Sequence, residues 1–385
     1  MNINVLKPKF DIDNVLSEIK ECLELGWTGM GFKTIKFEEA WKEYTQLPNA
    51  HFIASNTVGL HLALNLYKTK YNWKDGDEII TTPLTFISSN HAIMYERLKP
   101  VFADVDEFLC LDPKSIEKRI TNKTKAIMFV GMGGNTGRLP EIKSICEKHN
   151  LKLILDAAHM SGTKIKNTFD GIGYTIEHVG KEADVTIFSF QAVKNLPTAD
   201  SGMICFKDEE DDKLARQLSW LGIDKDTYSR STKGSYKWKY DVPNIGFKYH
   251  GNSIMASIGL VQLKKLDEEN DYRNIISSFY KSYLNKDIEI IEDSWYTHKS
   301  SKHLFQILVK NKREKLINKL YKNNIYPGVH YVDNTTYKMY KYAYGTCPKA
   351  HEYSNQLLTL PIHLDISKNN TEKISNIINS EYAKI

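Results

Sequence analysis

Between His51 and Phe206 the chain keeps repeating one unit: a short apolar run, a turn of glycine, proline or polar residues, then a segment with apolar residues at helical spacing. The apolar runs fall at His51–Ala54, Asp77–Thr82, Val101–Asp104, Ala126–Val130, Leu151–Asp156, the run opening at Asp184, and Met203–Phe206. Runs this short, bounded by turn residues, read as strands. Helical spacing recurs between them at Val58–Leu66, within Pro83–Arg97, and at Pro140–Asn150, where Ile142, Ile145 and Cys146 share one face. A β-α-β rhythm of this kind predicts an α/β fold, a largely parallel sheet covered by helices.

Two of the runs end in reactive side chains. Leu151-Lys-Leu-Ile-Leu-Asp156 finishes in a carboxylate, with His159 three residues on, and the run from Asp184 leads into a loop carrying Lys194. A lysine just beyond a buried strand can sit desolvated, which lowers its pKa toward the range where the free amine attacks a carbonyl. Strand ends of an open α/β sheet face the crevice where ligands bind, so Asp156 and Lys194 are expected to open onto one site. A pyridoxal ring uses that pair: the lysine forms an imine with its aldehyde, and a carboxylate near the ring nitrogen keeps it protonated so that the ring accepts electrons.

The segments D-A-A-H at Asp156–His159, S-F-x-x-x-K-N at Ser189–Asn195, S-N-T-V-G-L-H-L-A-L at Ser55–Leu64 and P-L-T-F at Pro83–Phe86 resemble the DegT/DnrJ/EryC1/StrS family of sugar aminotransferases. The resemblance runs nearly end to end. It implies an aspartate-aminotransferase-like fold of type I: a large domain (1–250) with a mostly parallel seven-stranded sheet, and a smaller C-terminal α+β domain (251–385). It also implies pyridoxal 5'-phosphate on Lys194, passing through the pyridoxamine form, and an amino group moved from L-glutamate to a keto-sugar, most simply a nucleotide-linked one. In that scheme Asp156 keeps the ring cationic, His159 contacts the ring or its phenolic oxygen, and Phe86 stacks on it. Asn56, Ser189 and the amides of Thr57 and Val58 belong to the cofactor site, the latter three on the phosphate. Trp27, Thr28, His330 and Tyr331 become candidate substrate contacts. Family members often carry asparagine where Lys248 stands, reaching the cofactor phosphate of a neighbouring subunit; a lysine serves a phosphate by charge instead. A homodimer is the implied assembly.

Other stretches keep more than one reading. Gly26-Trp-Thr-Gly-Met-Gly31 follows a helix predicted over Asp13–Leu25, and with no strand before it the dinucleotide reading is not supported. Helical character is also expected over Phe37–Tyr44. Thr57 has the chemistry to cap the helix that follows it, and a helix start binds phosphate through its free amides and dipole; a capped core helix is the plainer alternative. The glycines of Gly131–Gly137 serve either a ligand or a tight turn. Tyr174–Val179 has no assignable role. A helix over Asp208–Leu221 is marked by acidic residues in its first turn and by Gly222 as its stop.

From Lys225 to Tyr249, basic and aromatic residues interleave (among them Tyr228, Arg230, Lys233, Tyr236, Lys237, Trp238, Lys239 and Lys248). Solvated loop, nucleotide-stacking surface and single-stranded nucleic-acid surface all use that composition. Beyond it, helices around Ile254–Val261, Tyr272–Leu284, Lys312–Lys322 and Thr371–Ser380 with a strand at Leu304–Val309 make the second α+β unit.

Composition narrows the partners. The 52 basic and 47 acidic residues leave a formal charge of +5, which gives no ground for a nucleic-acid partner. Five scattered cysteines without a C-x-x-C argue against a disulfide framework or zinc site and for a reducing, cytoplasmic setting. No run has membrane-spanning length, so a soluble protein is expected. Two other activities fit the same fold: a cofactor-dependent sugar dehydratase, whose known relatives have histidine at the lysine position, and a non-catalytic regulator or nucleic-acid binder. Lys194 favours amino transfer.

Overall fold

The computed structural model describes residues 2–169, 173–224 and 239–382. Its centre is a seven-stranded sheet in the order His51–Ile53, Gly202–Phe206, Val185–Ser189, Lys152–Asp156, Thr124–Val130, Glu78–Thr81, Lys99–Phe102. Gly202–Phe206 runs antiparallel to both its neighbours, and the remaining pairings are parallel.

Both faces of this sheet are covered, which is why its strands are apolar at nearly every position. Alternate side chains go to opposite sides: Ile127, Phe129, Leu153, Leu155 and Phe188 join one core, and Ala126, Met128, Ile154, Val185 and Ile187 the other. A third core lies around Ile276, Tyr280, Phe305, Ile307, Leu358 and Ile374. It joins an antiparallel sheet of Glu289–Ile290, Phe305–Leu308 and Leu357–Leu360 to the helices Leu266–Tyr283, Arg313–Tyr321 and Lys368–Tyr382.

Three local expectations change. The helix Asn56–Lys70 starts earlier than its apolar pattern suggested, and its cap is Ser55, not Thr57. Ser55 has extended backbone and its Oγ accepts from the Val58 N–H at 3.3 Å, whereas Thr57 already sits in the first turn. The helix Phe32–Thr45 likewise begins before Phe37, because Lys33, polar in sequence, is buried and paired with Glu18 and Glu21. Tyr174–Val179, for its part, lies mostly in a strand: Gly173–His178 forms a ladder with Lys164–Phe169, which also pairs with Thr297–Lys299. In the basic, aromatic stretch, Tyr228, Arg230, Lys233, Tyr236, Lys237 and Trp238 lie outside the described residues. No helix among the described residues is long and apolar enough to cross a membrane.

Candidate active site

Asp156 closes its strand between Val130 and Ile187, at the carboxyl ends of three parallel strands. Buried there, its carboxylate accepts three hydrogen bonds. Oδ1 accepts from Asn56 Nδ2 (3.2 Å) and from the Ala158 N–H (3.2 Å), and Oδ2 accepts from Ser89 Oγ (2.7 Å). Burial raises its pKa above the ordinary carboxylate value, while those donors and the charge of Lys194 oppose the rise. Asn56 also donates to the Ile187 carbonyl (3.1 Å), so the start of the helix Asn56–Lys70 is tied to the strand that leads to Lys194.

The loop after Ser189 is held tightly. Lys194 N–H donates to the Gln191 carbonyl (2.8 Å), Val193 N–H to Gln191 Oε1 (3.1 Å), Phe190 N–H to the Ser201 carbonyl (2.8 Å) and Thr198 N–H to the Phe190 carbonyl (2.8 Å). Phe190 and Leu196 are buried in the core beneath. Lys194 itself is half-buried and, among the described residues, has no carboxylate within ion-pair distance. Desolvation lowers its pKa to about 8, with the charge of Asp156 pulling the other way.

Lys194 and Asp156 line the same cavity of about 410 Å³, with Asn56, Thr57, Phe86, His159 and Ser189. One wall is the start of the helix Asn56–Lys70. Gly202 passes so close to it that a Cβ there would stand 2.9 Å from the Asn56 nitrogen, so only glycine lets this strand approach. The opposite wall is a cluster of rings. His159 Nδ1 accepts from the Gly133 N–H (3.2 Å) and its Nε2 pairs with the Tyr331 hydroxyl (3.2 Å), while its ring packs 4.4 Å from that of His303. Burial and the Lys194 charge hold His159 and His303 well below the ordinary histidine pKa, and bring His330 to about 4. All three are neutral at pH 7.

Of the residues expected from sequence, Asn56, Thr57, Phe86, Asp156, His159, Ser189, Lys194, His330 and Tyr331 meet in this cavity. Val58, Trp27, Thr28 and Lys248 do not line it. Val58 gives its N–H to Ser55. Trp27 donates its indole N–H to the Met30 carbonyl (2.8 Å), and the Thr28 carbonyl accepts from the Ser253 N–H (3.1 Å). Lys248 Nζ sits 3.4 Å from the centre of the Trp220 ring, and burial lowers its pKa. Ser89 and His303 went unnoticed in the sequence. Ser89 lies three residues beyond Phe86, one helical turn on, and that spacing was the available signal.

Comparison with known proteins gives the family. Residues 11–379 match the model of the DegT/DnrJ/EryC1/StrS aminotransferase family. The chain is 32% identical to the spore coat polysaccharide biosynthesis protein SpsC of Bacillus subtilis, covering 93% of this chain and 92% of SpsC. Among solved structures, the putative sugar aminotransferase Spr1654 of Streptococcus pneumoniae in its PMP form superposes with a TM-score of 0.90 at 28% identity, covering 100% of both chains. PseC of Helicobacter pylori, an aminotransferase involved in the biosynthesis of pseudoaminic acid, gives 0.88 at 25%, again over 100% of both. A strand-end carboxylate and a desolvated amine on one cavity are what amino transfer on pyridoxal phosphate uses, and with the family match spanning nearly its whole length the chain belongs to the DegT/DnrJ/EryC1/StrS aminotransferases, a pyridoxal-phosphate-dependent family of sugar aminotransferases.

Proposed function

We propose that this enzyme moves an amino group from L-glutamate to a keto-sugar carried on a nucleotide, in the cytoplasm, for an amino sugar destined for a polysaccharide or glycan. One observation carries the proposal: a lysine amine with lowered pKa and no ion-pair partner among the described residues opens on the same cavity as a carboxylate fixed by three donors. The donor set suits pyridoxal phosphate. Asp156 is preset to hold a protonated ring nitrogen, the amides at the start of the helix Asn56–Lys70 and the Ser189 hydroxyl suit the phosphate, and His159 and Phe86 offer rings to its faces.

Bound there, the cofactor supplies an electron-accepting ring that stabilises negative charge on the substrate carbon. Everything else falls to the chain. Lys194 would anchor the group and, as a free base, would take a proton from the carbon on one side of the transferred nitrogen and return it to the carbon on the other. With a pKa of about 8, about one such amine in ten is uncharged at pH 7. Asp156 holds the ring proton through the cycle. His330 and Tyr331, on the cavity wall, meet the sugar.

The test is a panel of keto-sugar nucleotides, free keto-sugars and keto-sugar phosphates offered to enzyme pre-aminated with glutamate. Return of the aldehyde absorbance with a nucleotide-linked ketone, and a product that has gained nitrogen, is the expected result. Reaction only with the free or phosphorylated sugars removes the nucleotide; loss of water without gained nitrogen removes amino transfer. We further place the working unit as a homodimer, supported by Lys248 lying away from its own chain's cavity. Sedimentation of an active monomer would end that reading.

A further inference from the structure

Asn195, next to Lys194, is buried and fully engaged. Its Nδ2 donates to Asn270 Oδ1 (2.7 Å) and to the Ser301 carbonyl (2.6 Å), and its Oδ1 lies 2.8 Å from His303 Nδ1. The amide cannot be turned over, because a carbonyl oxygen such as that of Ser301 only accepts. Asn270 is fixed by the same logic: its Nδ2 donates to the Ser161 carbonyl (2.9 Å), so Oδ1 faces Asn195, and Arg273 Nη1 braces it at 3.4 Å. Asn195 Oδ1 is therefore an acceptor, and His303 must donate from Nδ1. A neutral imidazole with its proton on Nδ1 carries its lone pair on Nε2, which has no protein partner among the described residues, in a side chain that lines the Lys194 cavity.

The other two imidazoles of the cavity do not offer this. His159 spends its Nδ1 lone pair on the Gly133 N–H and turns Nε2–H to Tyr331. His330 shares Nδ1 with the Thr359 hydroxyl (2.9 Å), which donates or accepts equally well, so its tautomer is not fixed. We propose that His303, through its unpartnered Nε2, is the hydrogen-bond acceptor for an amine that enters the Lys194 cavity, and that Asn195 is the positioning residue that keeps His303 in the tautomer able to do it. The inference rests on Lys194 being the reacting amine. The groups facing His303 are the Lys194 ammonium, the His159 and His330 rings and, more distantly, the Arg273 guanidinium; the two cations disfavour an imidazolium and keep the lone pair available.

The first readout needs no mutation: nitrogen NMR of the full-length holoenzyme labelled at histidine, with the His303 signal assigned by its loss in His303→Gln. A proton on Nδ1 and a bare Nε2 at pH 7 is the expected state; the opposite tautomer or an imidazolium overturns the proposal. The second is the pH profile of kcat. Asn195→Asp keeps an acceptor for Nδ1–H but brings a negative charge that stabilises the imidazolium, so activity at pH 7 falls by about 10-fold or more and recovers as pH rises. Asn195→Ala loses activity without recovery. An Asn195→Asp profile with the shape of the parent's overturns the positioning role. Should Asn195→Asp not fold, the NMR state of the unmutated enzyme decides alone. Failure of amino transfer in the unmutated enzyme would strike the function proposed above and leave the tautomer result standing.

Discussion

Lys194→Ala is expected to lower amino transfer by about 10⁴-fold or more and to remove the visible absorbance that bound cofactor gives on a lysine, without lowering the melting temperature. The amine that is lost is one the fold holds at a cost: desolvation brings its pKa to about 8, and no carboxylate within ion-pair distance among the described residues offsets it. Stability is therefore expected to stay level or rise. The same number sets a pH dependence. A lowered amine pKa means that the reactive neutral form appears above about pH 8, so capture of pyridoxal phosphate by cofactor-free enzyme accelerates from pH 7 to 9 and levels off beyond. A rate still climbing past pH 10 would mean an ordinary solvated lysine. A variant that kept both the absorbance and activity within tenfold would mean that another amine reacts.

That lysine and its acid were readable in the sequence because each follows an apolar strand, and a strand's end is fixed by local pattern. The partners that tune them were not readable in the same way. Ser89 reaches Asp156 across 67 residues, and His303 reaches Asn195 across 108. Nothing local to His303 marks it: in the chain it is one polar residue before an apolar strand, and only the packing of the helix Leu266–Tyr283 and of Ser301 against the Lys194 loop gives its nitrogen a role. The same limit explains the strand Gly173–His178. Its Tyr174, Thr175 and Ile176 are exposed, so it buries no apolar run, and it is made a strand by the ladder to Lys164–Phe169. Ser55 and Thr57, two positions apart, both have the chemistry to cap, and backbone conformation decides between them.

Glu38→Leu is expected to cost about 3–5 kcal/mol of stability and to lower Tm by on the order of 10 °C, the largest change we expect from a substitution outside the cavity. Glu38, 8% exposed, binds three elements together. Its Oε1 accepts from the Phe52 N–H (2.7 Å) and pairs with His51 Nδ1 (3.0 Å), and its Oε2 accepts from Arg216 Nη1 (2.7 Å). Arg216 goes on to Asp212 (2.7 Å) and the Ala50 carbonyl (2.6 Å), and His51 Nε2 meets Ser219 Oγ (2.7 Å). Leucine fills the volume but strands a buried N–H, an imidazole and part of a guanidinium. That cost falls on the edge strand His51–Ile53, which hands the chain to Ser55 and the helix start on the cavity wall, so cofactor affinity is expected to weaken with stability. The pH dependence separates charge from packing. Burial alone would raise the Glu38 pKa, yet the His51 hydrogen bond, the Arg216 charge and the Phe52 N–H outweigh it and leave it below the ordinary carboxylate value. A carboxylate lowered in this way stabilises the fold above its unfolded pKa, and that contribution is lost as pH falls through the lowered value. Glu38→Gln keeps the shape without the charge, so its deficit against the parent should be full at pH 6 to 7 and shrink toward pH 3. Equal deficits at both pH values would assign the loss to packing, and a Glu38→Leu melt within about 2 °C of the parent would mean that the network contributes little.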